Sequence, residues 1–374
     1  MKVAIVHDYI KEFGGAERVL EALCEVYPKA PIYTAFTDKS GVAYKHFKNK
    51  KNINSWFNYL PFASKLASPL RFLTPLIWGS FDFKEYDVVI SSASWYITKG
   101  FKKKGEKFVE VCYCHTPPRW LYGYSTSINL QKYALVKLYA AIVGHFLRLY
   151  DFSRAQKVDF FIANSQEVKK RIEKFYRKPS KIIYPPVSLP NTEDVQKEDF
   201  YFIVSRIVGA KGLELAVETA LKTGLKLKIA GSPVGYSSEQ EKLIEKAKSL
   251  PAGEKRKVEF LGQVSDEELS LLFKKAKGFL ALSKDEDFGI TPVEAMLSGT
   301  GVIAFNGGGY KETVIDGKTG VLFDDYSAEG LGAAVKRFEK IKFNQDDLKK
   351  HAQKFSKERF KKEIKEFISS KIER

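Results

Sequence analysis

Two carboxylates flank a short turn that opens into a helix, between Glu286 and Glu294. We expect the helix to begin at Thr291, because threonine is a favoured N-cap and Pro292 then occupies the first helical position. Glu294 falls at the third helical position, where its side chain can accept the N-cap amide proton in a capping box. Glu286 has no comparable structural explanation, so it is the stronger candidate for chemistry.

The start of this helix is also a predicted phosphate site. The N–H groups at a helix N-terminus point at an anion, and a glycine beside them lets the ligand approach the backbone. Carboxylates next to such a site suit hydroxyl groups, with which they form charge-assisted hydrogen bonds. A phosphate together with a polyol indicates a nucleotide sugar. The predicted donor contacts of this turn are Phe288, Gly289, Ile290, Thr291 and Glu294.

Two cations occupy a second strand-to-helix turn, residues 206–212, which begins with Arg206 and contains Lys211. Cations oppose the dipole at a helix N-terminus, so an anion is needed to explain them. A diphosphate would serve, and a surface salt bridge is the alternative. Gly231 follows the next predicted strand and is a further predicted donor contact.

The first half of the chain offers two weaker signals. Gly14 and Gly15 stand between a predicted strand and an amphipathic helix, where backbone amides can approach a phosphate, although paired glycines often only make turns. His115 follows a strand in a proline-rich loop and either contacts a sugar hydroxyl or makes a structural hydrogen bond. With Cys112 and Cys114 it makes a poor zinc site, because a fourth ligand is missing.

Short apolar strands alternate with helical segments along the chain, which predicts an α/β fold with mostly parallel sheets. In such sheets ligands bind beyond the carboxyl ends of the strands, where His7, Ser91, Ser92 and His115 stand. The predicted strands are Lys2–His7, Pro31–Thr37, Asp87–Ser92, Phe108–Cys114, Val158–Ser165, Lys181–Tyr184, Phe200–Ser205, Leu225–Ala230, Val258–Leu261, Gly278–Ser283, Gly301–Phe305 and Gly320–Phe323.

The chain of 374 residues is long enough for two domains that each bury a core. Three prolines between Tyr184 and Pro190 indicate the boundary, since neither a helix nor a strand tolerates them well. The predicted domains are residues 1–185 and 186–348, followed by a basic C-terminal helical segment, residues 349–374.

Glu286 and Glu294, with seven residues between them, match the acidic motif of retaining glycosyltransferases of family 4. Arg206 and Lys211, five positions apart, match that family's phosphate-binding pair, and the loop of His115 resembles its first-domain histidine loop. The resemblance covers nearly the whole chain. It implies the GT-B architecture, in which two Rossmann-like domains face each other across a cleft and a C-terminal helix crosses back to the first domain.

This resemblance implies that a hexose moves, with retained configuration, from a nucleotide diphosphate sugar to a hydroxyl of a lipid-linked or saccharide acceptor. Arg206, Lys211, the Thr291 helix end and the Gly14-Gly15 loop would stabilise the leaving diphosphate. Glu286 would hold sugar hydroxyls, Glu294 the ribose, and His115 a sugar hydroxyl or a proton route. The resemblance also implies no metal and no cofactor.

The residues Val6-His7-Asp8-Tyr9 and Cys112-Tyr113-Cys114-His115 look most like the mannosyltransferase-like subgroup that builds O-antigen and other surface polysaccharides. That points to GDP-mannose as the donor and a lipid-linked acceptor. Two alternatives stay open. A nucleotide-sugar epimerase of the same architecture would convert the donor alone, and a non-catalytic protein would bind the nucleotide sugar without releasing nucleotide to any acceptor.

The net charge of +17 is unevenly distributed, with 30 Lys and Arg against 15 Asp and Glu in residues 1–190. Together with the aromatic-rich segments 56–78 and 133–150, this basic half suggests an anionic membrane surface, with a solvated lysine-rich surface as the alternative. No nucleic-acid motif is present. The few cysteines and the lack of a signal peptide predict a cytoplasmic protein, peripheral on the inner face of the membrane.

Overall fold

The computed structural model describes residues 1–124, 134–193, 195–206, 209–231 and 258–372. Within these ranges the chain forms two compact units. Unit 1 comprises residues 1–124, 134–186 and 357–372, and unit 2 comprises the described residues between 187 and 356. The divisions fall after Pro186 and Ser356, whereas the sequence placed them after residues 185 and 348.

In the described part of unit 1, seven parallel strands form one sheet in the order β3-β2-β1-β4-β5-β6-β7. Strands β1 and β4 are buried along their whole length, as expected for parallel strands covered on both faces. The strands are β1 Val3–His7, β2 Ile32–Thr34, β3 Asn52–Asn54, β4 Val88–Ala93, β5 Val109–Cys114, β6 Phe160–Ala163 and β7 Ser180–Ile182.

Helices cover this sheet. Those within residues 1–124 are α1 Gly15–Val26, α2 Tyr44–Phe47, α3 Ala63–Leu66 and α4 Thr74–Gly79, with single 3-10 turns at Trp56–Tyr59, Arg71–Leu73 and Arg119–Leu121. The next two are α5 Ala134–Lys157 and α6 Gln166–Tyr176. Although α5 has 24 residues, neither it nor any other helix in the described ranges is apolar enough over 18 residues to cross a membrane.

Unit 2 repeats the arrangement with six parallel strands among its described residues, in the order β10-β9-β8-β11-β12-β13. The strands are β8 Tyr201–Val204, β9 Leu227–Ala230, β10 Val258–Gly262, β11 Gly278–Ala281, β12 Val302–Phe305 and β13 Gly320–Phe323. The helices are α7 Leu213–Thr223, α8 Asp266–Lys275, α9 Ile290–Leu297, α10 Tyr310–Thr313, α11 Ala328–Glu339 and α12 Gln345–Ala352, with 3-10 turns at Gly209–Lys211 and Gln353–Phe355.

The C-terminal helix α13, Lys357–Ile372, belongs to unit 1. The Phe360 ring meets Tyr113 of β5 edge-on, with 5.7 Å between the ring centroids. One side chain per turn of this basic helix packs into the core of unit 1 and so holds the helix on that unit. These residues are Phe360, Ile364 and Ile368.

Each sheet has one position at which the direction of strand order reverses. In unit 1 the chain adds strands on one side of β1 and then returns to add β4 on the other side. In unit 2 the same reversal falls between β8 and β11. Loops that follow the two strands at such a position diverge, and the crevice between them is where ligands bind in open α/β sheets.

Candidate functional site

Lys211 and Glu286 form an ion pair in unit 2, with 2.7 Å between Lys211 Nζ and Glu286 Oε2. The Tyr310 hydroxyl contacts the same oxygen at 3.2 Å. Burial, and after it the Glu286 carboxylate, raise the pKa of Tyr310 well above its usual value. The phenol therefore keeps its proton and donates a hydrogen bond to Glu286. The Lys211 and Glu286 side chains remain 26% and 17% exposed, so a ligand can reach both.

This pair lies where the strand order of unit 2 reverses. Lys211 ends the 3-10 turn that follows β8, and Glu286 stands in the loop that follows β11. Gly212 is the N-cap of α7, with φ +72°, and a Cβ there would lie 2.6 Å from the Leu282 Cβ. Glycine is therefore required for the two loops to approach each other closely.

A glycine turn after β12 supports the backbone of Glu286. The Gly309 amide donates a hydrogen bond of 2.8 Å to the Glu286 carbonyl oxygen. Gly308 has φ +52°, and a Cβ there would come within 2.2 Å of the same oxygen. This turn, residues 306–309, thus fixes the backbone of Glu286 and leaves no space for a side chain at Gly308.

The start of α9 differs from the prediction. The helix begins at Ile290 with Gly289 as its N-cap at φ +92°, so Thr291 lies inside the first turn and Glu294 is not at the third position. The predicted capping box is wrong, because the left-handed conformation of the cap favours glycine over threonine. Glu294 is 2% exposed and enclosed by the helix packing, and its predicted contact to ribose stays a prediction.

The other predicted donor residues of unit 2 have different surroundings. Arg206 follows β8 and is exposed, Ile290 and Thr291 are half-buried at the helix start, and Phe288 is a core residue whose ring packs against Phe355. A Cβ at Gly231 would come within 1.8 Å of the Ser205 carbonyl oxygen. Gly231 therefore has a structural explanation, the close packing of the ends of β8 and β9.

Glu286 stands between Asp285 and Asp287, both half-buried. This Asp-x-Asp spacing supplies carboxylate oxygens of the type that bind divalent metals. Among the described residues, no group of three or more His, Cys, Asp and Glu side chains is arranged to hold a metal ion. Metal independence stays a prediction.

In unit 1, His115 follows β5 and is almost fully buried, with its Nε2 2.8 Å from the Ser92 hydroxyl of β4. The same hydroxyl is 3.1 Å from Nδ1 of His7, the last residue of β1. The His115 backbone is held by Ala93, whose carbonyl accepts the His115 amide at 2.9 Å, and by Asn164, whose side chain donates to its carbonyl at 2.9 Å. Both histidines thus lie beside the strand-order reversal of unit 1.

The glycine loop after β1 leads into α1, which begins at Gly15 with Gly14 as its N-cap. The Gly14 amide donates to Glu17 Oε2 at 2.9 Å, so one N–H of the predicted phosphate loop is already engaged. Glu17 Oε1 lies 3.5 Å from His7 Nε2. A carboxylate therefore occupies part of the helix end at which the sequence predicted a phosphate.

Unit 1 also carries an extended apolar surface, made by the 56–78 segment and α5. The Tyr139 hydroxyl donates to the Pro69 carbonyl and thereby joins these two elements. The Arg71 guanidinium contacts the rings of both Trp95 and Trp120, 5.2 and 4.4 Å from their centroids. The exposed large apolar residues of this surface are Trp56, Tyr59, Phe62, Phe72, Leu76, Leu138, Tyr139, Ile142, Phe146, Leu149 and Phe152.

The family model for glycosyl transferases group 1 matches residues 189–361. The second half of this chain is therefore similar to the glycosyl transferases of group 1. The match includes Arg206, Lys211, Glu286 and Glu294, the residues singled out on the resemblance. It confirms the expectation of a glycosyltransferase for this part of the chain.

Two curated relatives are mannosyltransferases. The lipopolysaccharide core biosynthesis mannosyltransferase LpcC of Rhizobium leguminosarum is 36% identical over 90 residues, 24% of this chain and 25% of that protein. The alpha-1,3/1,6-mannosyltransferase ALG2 of Dictyostelium discoideum is 24% identical over 86% of both chains. The alignment with LpcC thus spans about a quarter of that relative, whereas the alignment with ALG2 extends well beyond the glycosyltransferase domain.

The fold of the whole chain is also found in solved structures. Anabaena HepE, crystallised with UDP and glucose, superposes with a TM-score of 0.71 at 18% identity, covering 99% of this chain and 100% of that one. Together with further matches of similar extent, this confirms the predicted α/β fold of two Rossmann-like domains with the GT-B architecture.

Two residues of the site were not predicted from the sequence. Tyr310 reaches Glu286 from α10, directly after the glycine turn, and Glu17 reaches His7 from the first turn of α1. Tyr310 follows the carboxyl end of β12, beside β11 in the sheet, so its position after a strand was an available signal. Nothing in the local sequence marks Glu17 beyond an acidic residue near a helix start.

Proposed function

We propose that this protein is a retaining, metal-independent glycosyltransferase that moves a hexose from a nucleotide diphosphate sugar to a hydroxyl of a lipid-linked or saccharide acceptor in polysaccharide or glycolipid synthesis. The observation that carries the proposal is the Lys211–Glu286 pair at the strand-order reversal of unit 2. It offers one positive group for a phosphate and one carboxylate for sugar hydroxyls, side by side and partly exposed.

The reaction breaks the bond between the anomeric carbon and the diphosphate oxygen and forms a bond from that carbon to the acceptor oxygen. The acceptor hydroxyl loses its proton to the leaving diphosphate, on whose side of the sugar the acceptor attacks. Lys211, Arg206 and the N–H groups at the start of α9 stabilise the negative charge that develops on the diphosphate. Glu286 accepts hydrogen bonds from sugar hydroxyls and so fixes the reacting carbon near that charge.

The remaining candidate residues have narrower roles in the proposal. Glu294 contacts the ribose, and His115 of unit 1 contacts a sugar hydroxyl or takes part in the proton route. Gly14 and Gly15 contribute backbone N–H groups to the diphosphate. The Gly14 amide already donates a hydrogen bond to Glu17. We therefore propose that the cations of unit 2 contribute most of the binding of the diphosphate.

Mannose, carried as GDP-mannose, is the proposed sugar. Both LpcC and ALG2 are named as mannosyltransferases, which supports this sugar over other hexoses. HepE holds UDP in its crystal, and UDP-sugars are therefore the competing donors. Selection between guanine and uracil depends on contacts to the nucleobase and not on the contacts to the sugar.

The acceptor is proposed to be located in an anionic membrane, to which unit 1 binds from the cytoplasmic side. Its exposed apolar surface supplies side chains that enter the interface, and the excess of cations in residues 1–190 supplies the attraction to anionic lipid. Either feature alone occurs on ordinary soluble domains. Their presence on the same unit favours a lipid-linked acceptor.

The deciding experiment is a screen of GDP-mannose and UDP-sugars that follows stabilisation of the full chain on heating and release of free nucleotide by mass spectrometry. A bound donor raises the unfolding temperature, and the rise grows with the logarithm of the ratio of donor concentration to Kd. We expect GDP-mannose to stabilise the protein and to be consumed faster when acceptor lipids are added. Conversion of the donor to an isomer would indicate the epimerase alternative, and stabilisation without turnover under any condition would indicate a binding protein.

A further inference from the structure

Arg71 is a half-buried cation of unit 1 to which the described part of the chain brings no carboxylate within ion-pair distance. Its Nε donates to the Ser68 carbonyl oxygen at 2.7 Å, and its Nη2 donates to the Ser68 hydroxyl. A guanidinium carries five N–H groups, so the two bonds to Ser68 leave three without an acceptor among these residues. Those three N–H groups can bind a ligand.

Two indoles contact this guanidinium. The ring centroids of Trp95 and Trp120 lie 5.2 and 4.4 Å from Arg71 Cζ, and they are 6.4 Å from each other, with 52° between the ring planes. Cation–π attraction favours this arrangement. It replaces only part of the hydration that a charge loses on burial, so an anion at Arg71 would stabilise the site further.

The charge balance around Arg71 supports an anionic ligand. Burial lowers the pKa of its guanidinium, which nevertheless remains charged, as arginine does in proteins. The groups that oppose this lowering are phenols and not carboxylates, namely Tyr9, Tyr96 and Tyr139. The positive charge is thus held beside aromatic rings without a protein counter-ion in the described ranges.

The surroundings of Arg71 also suit hydrocarbon. Phe72 and Leu76, one and five residues further along the same segment, are 44% and 63% exposed. Tyr139 of α5 is exposed as well, and its hydroxyl donates to the Pro69 carbonyl. Indole rings favour the headgroup level of a membrane, where one side is apolar and the other is wet. A ligand that matches both the cation and this surface is a lipid that carries a phosphate.

The two indoles are fixed at the carboxyl ends of two strands of unit 1. Trp95 follows β4, and its amide donates to Asp8 Oδ2, beyond the end of β1, at 2.6 Å. Trp120 lies in the loop after β5 that begins at His115, and its Nε1 donates to the Trp95 carbonyl oxygen at 3.2 Å. The site therefore lies on the same edge of the sheet as the candidate sugar contact of this unit.

We propose that Arg71, Trp95 and Trp120 bind the phosphate that joins the acceptor saccharide to its lipid, with the lipid chain against the exposed apolar surface of unit 1. The planar fork of arginine binds two phosphate oxygens at once, which lysine cannot do. Ordinary phospholipid headgroups are attracted by exposed cations without a shaped site. The inference rests on the proposed function for the class of acceptor, whereas the binding itself needs neither a sugar donor nor turnover.

The test uses sedimentation of the full chain with two kinds of phosphatidylcholine vesicle. One kind carries farnesyl phosphate, the other carries phosphatidylglycerol, and both are adjusted to the same surface charge. We expect about tenfold tighter binding to farnesyl phosphate, the size of effect that one charged hydrogen-bonding contact has. Arg71→Gln should remove this preference. Inorganic phosphate at equal concentration should not displace the protein, because it lacks the lipid chain, and displacement would overturn the assignment to a lipid.

Lys65→Gln is the matched control. It removes an exposed cation from the same segment, where Lys65 Nζ lies 5.7 Å from the centroid of the Phe62 ring. It should weaken binding to both kinds of vesicle equally and preserve the preference for farnesyl phosphate. Arg71→Lys keeps the charge and loses the fork, so it should retain overall binding and lose most of the preference. This variant decides the question if Arg71→Gln fails to fold.

Equal binding of the wild type to the two kinds of vesicle would overturn the proposal and assign Arg71 to general attraction of headgroups. A preference that persists in folded Arg71→Gln and in Arg71→Lys would overturn it as well. A preference that depends on Arg71, in a protein that turns over no donor with any acceptor, would support the phosphate site and count against the proposed function. Turnover without the preference would do the reverse.

Discussion

Glu286 holds Lys211 at 2.7 Å across the gap between the loops that follow β8 and β11. A donor that takes up both groups must exchange this ion pair for contacts of its own. Glu286→Ala and Lys211→Ala should therefore each lower kcat/KM by about 100-fold or more, as loss of a preorganised charged contact does. Transfer to an identified acceptor measures the effect.

The control for this pair is Lys222→Ala, which removes an exposed ion pair to Glu329 in the same unit, with 2.8 Å between the charged atoms. It should leave transfer unchanged, because exposed ion pairs contribute little to stability. All three variants should unfold within a few degrees of the wild type. Near-normal transfer by Glu286→Ala would remove the central assignment.

Metal independence is tested by transfer in excess chelator. Because Lys211, Arg206 and the start of α9 already supply positive charge for the diphosphate, activity should change by less than about twofold. Complete loss of activity that magnesium or manganese restores would instead assign a metal to Asp285 and Asp287. Asn substitution of both aspartates would then weaken the response to metal.

Membrane docking is tested by sedimentation with neutral and anionic vesicles over a salt series. Binding to anionic vesicles should weaken but persist as salt rises, since each cation near the surface contributes on the order of 1 kcal/mol and salt screens only that part. Tyr59→Ser combined with Phe62→Ser should lower the residual binding at high salt, because these side chains are 81% and 73% exposed.

One variant is unsuitable for this test and another is its control. Phe57→Ser must be avoided in the docking series, because Phe57 is fully buried and its loss would unfold the segment. Ile315→Ser removes an exposed apolar residue of unit 2 and should leave vesicle binding unchanged. Equal binding to neutral and anionic vesicles, or none to either, would eliminate the membrane proposal and leave the transferase assignment untouched.

Glu110 of β5 makes the stability of the protein depend on pH. Its carboxylate is fully buried and accepts the Gly100 and Phe101 amides at 2.6 and 2.8 Å. Burial raises its pKa from 4.5 to about 7, against the lowering effect of these two amides; Asp159 adds to the rise and Lys102 opposes it. Between these two values the folded state binds a proton that the unfolded state has released.

The contribution of Glu110 is therefore fully present below pH 4.5 and is lost as pH rises through 7, by up to about 1.4 kcal/mol per pH unit. Glu110→Gln carries no titrating proton at this position. The difference in unfolding free energy between wild type and Glu110→Gln should thus shift in favour of the variant as pH rises from 5 to 8 in urea titrations. A difference independent of pH would contradict the raised pKa.

Much of the fold was predictable because its strands are short, buried runs of apolar residues, which the sequence shows directly. Strand β3 was missed, since Asn52 and Asn54 have low strand propensity and the strand forms only through its pairing with β2. In a three-residue edge strand, backbone hydrogen bonds to the neighbour decide the conformation. No local pattern reveals such a neighbour.

The candidate site was predictable where it depends on spacing and unpredictable where it depends on contact. The positions of Glu286 and Lys211 after two strands were visible in the sequence, but their ion pair required the strand order of the sheet. The helix start was misplaced by two residues because Gly289 was not recognised as a left-handed cap. A side chain at Gly289 is also excluded by Tyr310, whose ring would lie 2.8 Å from a Cβ at that position.

The contacts of Arg71 with Trp95 and Trp120 join the aromatic-rich segment 56–78 to the loop of His115. Arg71 belongs to the segment proposed to meet the lipid, Trp95 follows β4, and Trp120 ends the loop that begins at His115. Because one guanidinium lies against both indoles, the depth of that segment in a bilayer and the placement of the His115 loop cannot vary independently. The bilayer would then influence the placement of the His115 loop, in addition to containing the acceptor.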